Sequence, residues 1–323
     1  GVTTLHRGIG RGEESVVNVR EDLAGALTEQ QNSESADLDK MSSLQIVQLM
    51  NRQDRVVVDV VEAAAPAIAE LVEATAQKLR EGGRLFYVGA GTSGRLGMLD
   101  AAECPPTFGT APEMVQALLA GGSQAFLKAV EHAEDDPAAA AAEMENRGFT
   151  AKDVAIGISA SGRTPFVIGA LRHARTLGAV TGSIFCNPGA ALGTEADFPV
   201  LLAVGPEILA GSTRLKAGTA TKMALNMVST GCMVRLGKVL GNLMVDLTPT
   251  CEKLVVRSVR ILSQSAQISV DEAERLLQQA DGDLRLATVM AAGKLDASSA
   301  RSILEGSSSV REAVDTARER LSR

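Results

Sequence analysis

The chain has 323 residues, 45% hydrophobic and 22% charged, with a formal net charge of −7, a balance that fits a globular protein larger than one average domain and excludes a disordered one. An acidic chain without a Lys/Arg cluster lacks the counter-charge a nucleic-acid surface needs, and no apolar stretch approaches a membrane span, so neither partner is expected. Cys104, Cys186, Cys232 and Cys251 and the histidines His6, His132 and His173 show no CxxC or ligand-pair spacing, which excludes an expected metal site and points to reduced thiols in the cytoplasm.

Taken in chain order, GVTTLHRGIGRG reads as a loose arm or a cloning remnant, and residues 1–27 are set outside the fold. Ser42 and Gln45 have capping-box spacing, and Leu44, Val47, Gln48 and Asn51 begin a helical pattern that runs through DRVVVDVVEAAA. Pro66 bends or restarts it; Ile68, Leu71, Val72, Thr75 and Leu79 continue it to a stop at Gly82 and Gly83. RLFYV is the first strand. After it come a strand (MVQALLA), two helices (SQAFLKAVEHAED and PAAAAAEMENRG), a strand (DVAIGIS), a helix (PFVIGALRHARTLG) and two strands (VTGSIFC and FPVLLAV). Short apolar strands separated by helices require a parallel sheet covered on both faces, so an α/β, doubly wound, mainly parallel five-stranded sheet is expected. Right-handed crossovers gather the strand-end loops on one edge. A long helix then carries Leu215, Met223, Met227, Val228 and Val234, its methionines read as core filler. Beyond Arg260 the pattern is wholly helical, which divides the chain into an arm (1–27), a sheet domain (28–260) and a small helical C-terminal subdomain (261–323).

Gly89, Gly91 and Gly94 in YVGAGTSGRLG have the GxGxxG spacing of a dinucleotide loop. A dinucleotide site also needs an acid at the end of the second strand to hold the ribose, and ALLAGGSQ offers Gly and Ser there. The loop carries the hydroxyls of Thr92 and Ser93 instead. The same construction recurs where DVAIGIS runs into ASGRTPFV: Ser159, Ala160, Ser161, Gly162, Arg163 and Thr164, then a helix opened by Pro165. Any one such Ser or Thr could be a helix cap. Two loops with hydroxyls, Gly and Arg at one sheet edge favour a phosphorylated small molecule held by backbone N–H groups and hydroxyls.

GAGTSGRLG and SASGRTPFV resemble the paired loops of the sugar isomerase (SIS) fold. DAAECPPTFG, AVEHAEDD, GPEILAGSTRLKAGTATK and GNLMVDLTPTCEKL are similar to signatures of the N-acetylmuramic acid 6-phosphate etherase family, and TEQQNSESADLDKMSS resembles its N-terminal segment. The resemblance runs from about residue 28 to the last helices, which resemble a ubiquitin-associated-like bundle. It implies a homodimer with the substrate near the subunit interface, no cofactor or metal, and cleavage of the D-lactyl ether on carbon 3 of the phosphosugar during peptidoglycan recycling. One departure is His132, after Glu131, where the family has Gly.

The resemblance also assigns roles. Glu103, in an AAECPP turn stiffened by Pro105 and Pro106, is the acid that assists lactate departure, and Glu131, on the helix after the second strand, is the base at carbon 2. Gly91, Thr92, Ser93, Ser159, Ala160, Ser161, Gly162 and Thr164 are expected phosphate and hydroxyl contacts. Arg95, Arg163, Arg214 and Lys216 are cations available to phosphate or lactyl carboxylate, and Glu207 and Ser212 sit on the same edge. Alone, each Glu would be a solvated charge, as the run Glu134, Asp135, Asp136 illustrates. A phosphosugar sensor without catalysis and an aldose–ketose isomerase stay open as alternatives; a nicotinamide dehydrogenase is disfavoured for want of the ribose acid.

Overall fold

The computed structural model describes residues 25–128, 130–247 and 252–322. Most of the expected arm, with His6, and the thiol of Cys251 lie outside the described residues.

Helix α1 (Ser43–Ala63) starts with the expected capping box: the Ser42 hydroxyl accepts from Gln45 N–H, and the Gln45 side chain accepts from Ser42 N–H. The chain restarts as α2 (Ala65–Arg80) with Pro66 in its first turn and stops at Gly82, whose φ is +84°. There follow β1 (Leu85–Gly89), α3 (Gly91–Phe108), β2 (Val115–Leu119), α4 (Pro137–Asn146), β3 (Val154–Ser159), α5 (Pro165–Thr176), β4 (Val180–Phe185), the short α6 (Leu192–Glu195), β5 (Phe198–Leu201) and α7 (Lys216–Arg235). The strands are all parallel in the order β2-β1-β3-β4-β5, so the doubly wound α/β sheet stands. Alternation along β1 sends Leu85 and Tyr87 into a core shared with α1, α2, α3 and α7, and Phe86 and Val88 into a second core under α4 and α5.

Three expectations change. The described residues of SQAFLKAVEHAED form no α-helix, only single 3₁₀ turns at Ser123–Phe126 and Ala133–Asp135. Its large apolar residues are left open: Phe126, Leu127 and Val130 are 43%, 91% and 45% exposed, and His132 sits at φ +60°, where a right-handed ladder cannot continue. AAECPP is the last part of α3, not a turn after it; Pro105 and Pro106 are accommodated inside the helix before Gly109 ends it at φ +59°. On α7, Met233 is buried and Met223 packs against the core, but Met227 is 42% exposed, so the core-filler reading does not extend to it.

After α7 an unforeseen hairpin, β6 (Val239–Leu240) with β7 (Leu243–Met244), leads to five helices: α8 (Glu252–Ala266), α9 (Val270–Gln279), α10 (Leu284–Gly293), α11 (Ala297–Glu305) and α12 (Val310–Leu321). Their separate core also takes in Leu240, Val245 and Leu247 from the hairpin region. Residue 260 falls within α8.

Candidate functional site at the strand ends

β1 and β3 are neighbours, with Gly89 opposite Ile158, and the chain leaves them in opposite directions across the sheet. Such a reversal opens a crevice beyond the strand ends, where open α/β sheets bind ligands. The first loop enters it through Gly91, at φ +52°. A Cβ on Gly94 would lie 2.6 Å from the Gly89 carbonyl oxygen, so only glycine lets α3 start against the strand end. Ala90, the N-cap, has no side chain that could cap. The Gly91, Thr92 and Ser93 N–H groups therefore have no acceptor within the helix. Thr92 leans toward α7, its methyl 3.7 Å from where a Gly218 Cβ would stand.

The second loop is a web of hydroxyls. Buried Ser159 Oγ lies 2.8 Å from Thr164 Oγ1 and 3.1 Å from Ser161 Oγ, and accepts from Gly162 N–H. Ser161 Oγ accepts from Arg163 N–H. Thr164 is the N-cap of α5, yet its hydroxyl turns to Ser159 instead of capping. Gly162 is at φ +69°, and a Cβ there would be 2.5 Å from Ala190 Cβ. Both loops thus present a helix start beside serine and threonine hydroxyls, an arrangement suited to an anion.

A third element was missed from sequence. The described start of the chain lies over the same rim: Asn187 Nδ2 donates to Thr28 Oγ1 (3.0 Å) and to Ala160 O (2.9 Å), Thr28 N–H donates to Asn187 Oδ1, and Gly211 N–H donates to Thr28 O. Asn32 Nδ2 donates to Pro206 O and to Gln53 Oε1. The available signals were the TE and N of the segment after residue 27 and the Asn-Pro-Gly turn closing the fourth strand.

The structure redirects three expected contacts. Glu207 is fully buried, and its carboxylate accepts from Lys216 N–H (3.1 Å) and Ala217 N–H (2.9 Å), capping α7. Burial raises its carboxyl above the usual range, against the pull of those two donors and of Lys216. Lys216 is buried too, which lowers its ammonium; Nζ donates to Gln53 Oε1 at 3.0 Å. The Arg95 guanidinium donates to the carbonyls of Ala125 (2.8 Å) and Phe126 (2.9 Å), so it holds the Ser123–Phe126 turn over the first loop. Ser212 is half-buried on the loop before α7, and Arg214 is exposed there.

The two glutamates are placed differently. Glu131 lines a cavity of about 220 Å³ with Ala90, Gly91, Arg95 and His132, directly beside the first loop. Glu103 is exposed on α3, twelve residues after Gly91, about 18 Å along the axis at 1.5 Å per residue. One chain therefore joins Glu131 to the loops and leaves Glu103 outside. His132 occupies the left-handed region that glycine enters freely, and its imidazole is solvent-exposed, 3.5 Å from Asp135.

Behind the first loop lies a buried carboxylate that sequence reading passed over. Asp100 accepts from Tyr87 Oη (3.0 Å), Asn226 Nδ2 (2.7 Å) and Ser229 Oγ (3.1 Å), tying α3 to β1 and α7. Burial raises the Asp100 carboxyl, with the three donors opposing; burial and then the neighbouring Asp100 charge push the Tyr87 phenol well up. Cys104, Cys186 and Cys232 are buried free thiols, which burial pushes up to about 12. Among the described residues no helix is long and apolar enough to cross a membrane, and no cluster of His, Cys, Asp and Glu could hold a metal.

The chain is similar to several known proteins. Residues 67–175 match the family described as glucokinase regulatory protein N-terminal SIS domain. The chain is 54% identical over 263 residues to a protein of Geobacillus thermodenitrificans named N-acetylmuramic acid 6-phosphate etherase, covering 81% of this chain and 89% of the other. It is 49% identical to one of the same name from Aeromonas hydrophila, covering 88% and 96%. A solved phosphoheptose isomerase from Francisella tularensis is 21% identical, with a TM-score of 0.46, covering 60% of this chain and 98% of that one.

Proposed function

This chain belongs to the N-acetylmuramic acid 6-phosphate etherase family, and from that membership we propose how it cleaves the D-lactyl ether of N-acetylmuramic acid 6-phosphate to N-acetylglucosamine 6-phosphate and D-lactate. It is an enzyme of the carbon–oxygen lyase kind. An ether resists direct displacement because the departing alkoxide is strongly basic. Elimination avoids this. Once the sugar ring opens, the carbon 1 aldehyde acidifies the hydrogen on carbon 2, and a carboxylate base removes it. The electron pair forms the carbon 2–carbon 3 double bond, and the lactyl oxygen leaves carbon 3 with a proton from an acid. Water then adds back, hydroxyl to carbon 3 and proton to carbon 2, and the ring recloses.

Glu131 is the base and Glu103 the acid. The phosphate is held by the Thr92, Ser93, Ser159, Ser161 and Thr164 hydroxyls and the N–H groups at the starts of α3 and α5, with Gly91, Ala160, Gly162, Arg163 and Ser212 shaping the rim. Glu207 and Lys216 keep the start of α7 in place. The observation that carries this reading is Glu131 beside the glycine loop in one cavity.

Glu103 reaches the site from a second copy of the chain. Support comes from its distance along α3 and from the apolar residues left open nearby: Leu99, one turn before Glu103 on the same face, and Phe126 and Leu127, shortly before Glu131, are all exposed. A homodimer covers them and completes the site. The protein works in the cytoplasm on phosphosugar released during peptidoglycan recycling. The division into an arm, a sheet domain and a helical subdomain is retained, with its second boundary moved to the β6–β7 hairpin.

The test is D-lactate release from N-acetylmuramic acid 6-phosphate. Glu103→Ala is expected to keep solvent exchange of the carbon 2 hydrogen and lose lactate release; Glu131→Ala is expected to lose both. Loss of both steps in Glu103→Ala would show the roles wrongly assigned. Tight phosphosugar binding without lactate would turn the reading toward a sensor.

A further inference from the structure

The helical subdomain is linked to α3 through an ionic joint beside the β6–β7 hairpin, at the end of the helix that carries Glu103. Asp246, on the strand-exit side of the β6–β7 hairpin, is buried and paired with a cation on each side. Lys238 Nζ donates to its Oδ2, and the Arg285 guanidinium, at the start of α10, forms an ion pair with its Oδ1 across 3.0 Å. The same Lys238 ammonium donates to the carbonyl of Phe108, the last residue of α3, at 3.1 Å. Asp283 completes the subdomain side, capping α10 through Arg285 and Leu286 N–H and pairing with the Arg285 guanidinium. The backbone is fitted to the joint as well: a Cβ on Gly109 would stand 2.1 Å from the Asp246 carbonyl oxygen, so the hairpin presses directly on the cap of α3.

This end of α3 needs outside support. Pro105 and Pro106 have no N–H, so the helical bonds that would run to the carbonyls of Ala101 and Ala102 are missing in the turn that carries Glu103. A helix C-terminus also carries partial negative charge, which a cation at its last carbonyl stabilises. Lys238 supplies that cation, and Asp246 holds Lys238 in place.

We propose that Asp246 is a positioning residue for Glu103: through Lys238 it clamps the proline-weakened end of α3 to the helical subdomain, and this clamp is what the subdomain contributes to the reaction. The inference rests on the reading of Glu103 as the acid for lactate departure. A misplacement of the order of an ångström in a catalytic group is worth up to about a hundredfold in rate. The clamp acts on the acid alone, because Glu131 lies at the other end of α3, beside the first loop.

The experiment uses the full chain and N-acetylmuramic acid 6-phosphate in deuterated water, following carbon 2 exchange by NMR and D-lactate enzymatically. Variants are Asp246→Ala, Asp246→Asn, Lys238→Met and, as reference, Glu103→Gln. Lys238→Met keeps the aliphatic stem and covers the case in which Asp246→Ala does not fold. Lactate release is expected to fall at least about tenfold in Asp246→Ala and Lys238→Met, with exchange and KM within about threefold of wild type. Asp246→Asn, which keeps an acceptor for Lys238, is expected to recover part of the loss. If both steps fall together in proportion to lost folded protein, or if neither falls, the clamp is overturned while Glu103 keeps its role. If Glu103→Gln itself retains lactate release, the assignment of the acid fails and the clamp with it.

Discussion

Asp100 offers the sharpest energetic test of how the first loop is held. Replacing it with Ala removes one acceptor from three donors with different alternatives. Tyr87 Oη is buried and has no other partner among its hydrogen bonds, so leaving it unpaired costs about 1–3 kcal/mol. Asn226 is half-buried and can turn to water, and Ser229 Oγ already lies 3.5 Å from the Asn226 carbonyl, so each contributes about 0.5–1 kcal/mol. Asp100→Ala is therefore expected to destabilise by about 3 kcal/mol, measured by guanidinium unfolding followed by far-UV circular dichroism. Tyr87→Phe removes the stranded hydroxyl, so the double variant should be little worse than Asp100→Ala, with a coupling of about 1–2 kcal/mol. The sign with pH follows from the raised Asp100 carboxyl: its contribution is fully present below the ordinary Asp range and declines as pH rises through the folded value. Asp100→Asn should thus cost less at neutral pH than in mild acid. Additive single variants, with no coupling beyond about 0.5 kcal/mol, would refute the account of Tyr87 as stranded.

Tyr87 is the only tyrosine in the chain and there is no tryptophan, so ultraviolet titration reports on this one phenol. Its pKa is raised, so the neutral form stabilises the fold below the ordinary tyrosine range and is lost as pH climbs through the folded value; phenolate should appear together with unfolding, and a separate transition near pH 10 would contradict that. Asp153 shows the opposite sign: burial alone would raise it, but hydrogen bonds from Arg84 and from the Thr150 and Arg84 backbone hold it below the usual range. Asp153→Asn should cost about 2–4 kcal/mol at neutral pH, with the gap to wild type closing as pH falls through the folded value. Gly162→Ala introduces a strained φ and a contact with Ala190, and phosphosugar affinity measured by calorimetry should drop at least about tenfold while the overall fold is kept. His132→Gly relieves the left-handed backbone and should raise thermal stability by about 0.5–1 kcal/mol.

Much of the site was legible because its signals are local. A glycine that must touch a strand end, a proline at a helix start and hydroxyls between them constrain a few consecutive residues, so the position of both loops at the strand ends was legible in the sequence, as were the parallel strands and the Ser42 capping box. The 123–135 stretch misled for the complementary reason: its spacing is helical, but in a single chain nothing is available for Phe126 and Leu127 to pack against, and periodicity without a partner does not make a helix. Charged residues misled too. Glu207, Lys216 and Arg95 look like ligands in the sequence, yet Glu207 accepts from the start of α7, Lys216 Nζ donates to Gln53 and Arg95 donates to two loop carbonyls.

The amino-acid sequence alone settled the class of fold, the two loops and the kinship that names the chemistry, because these depend on residue type at short spacing. Which carboxylate stands at the crevice, which is walled in behind it at Asp100, and how the helical subdomain grips the end of α3 through Asp246 were settled only by the tertiary structure. Those hydrogen bonds join residues up to 130 positions apart, and burial, unlike spacing, is a property of the packed whole.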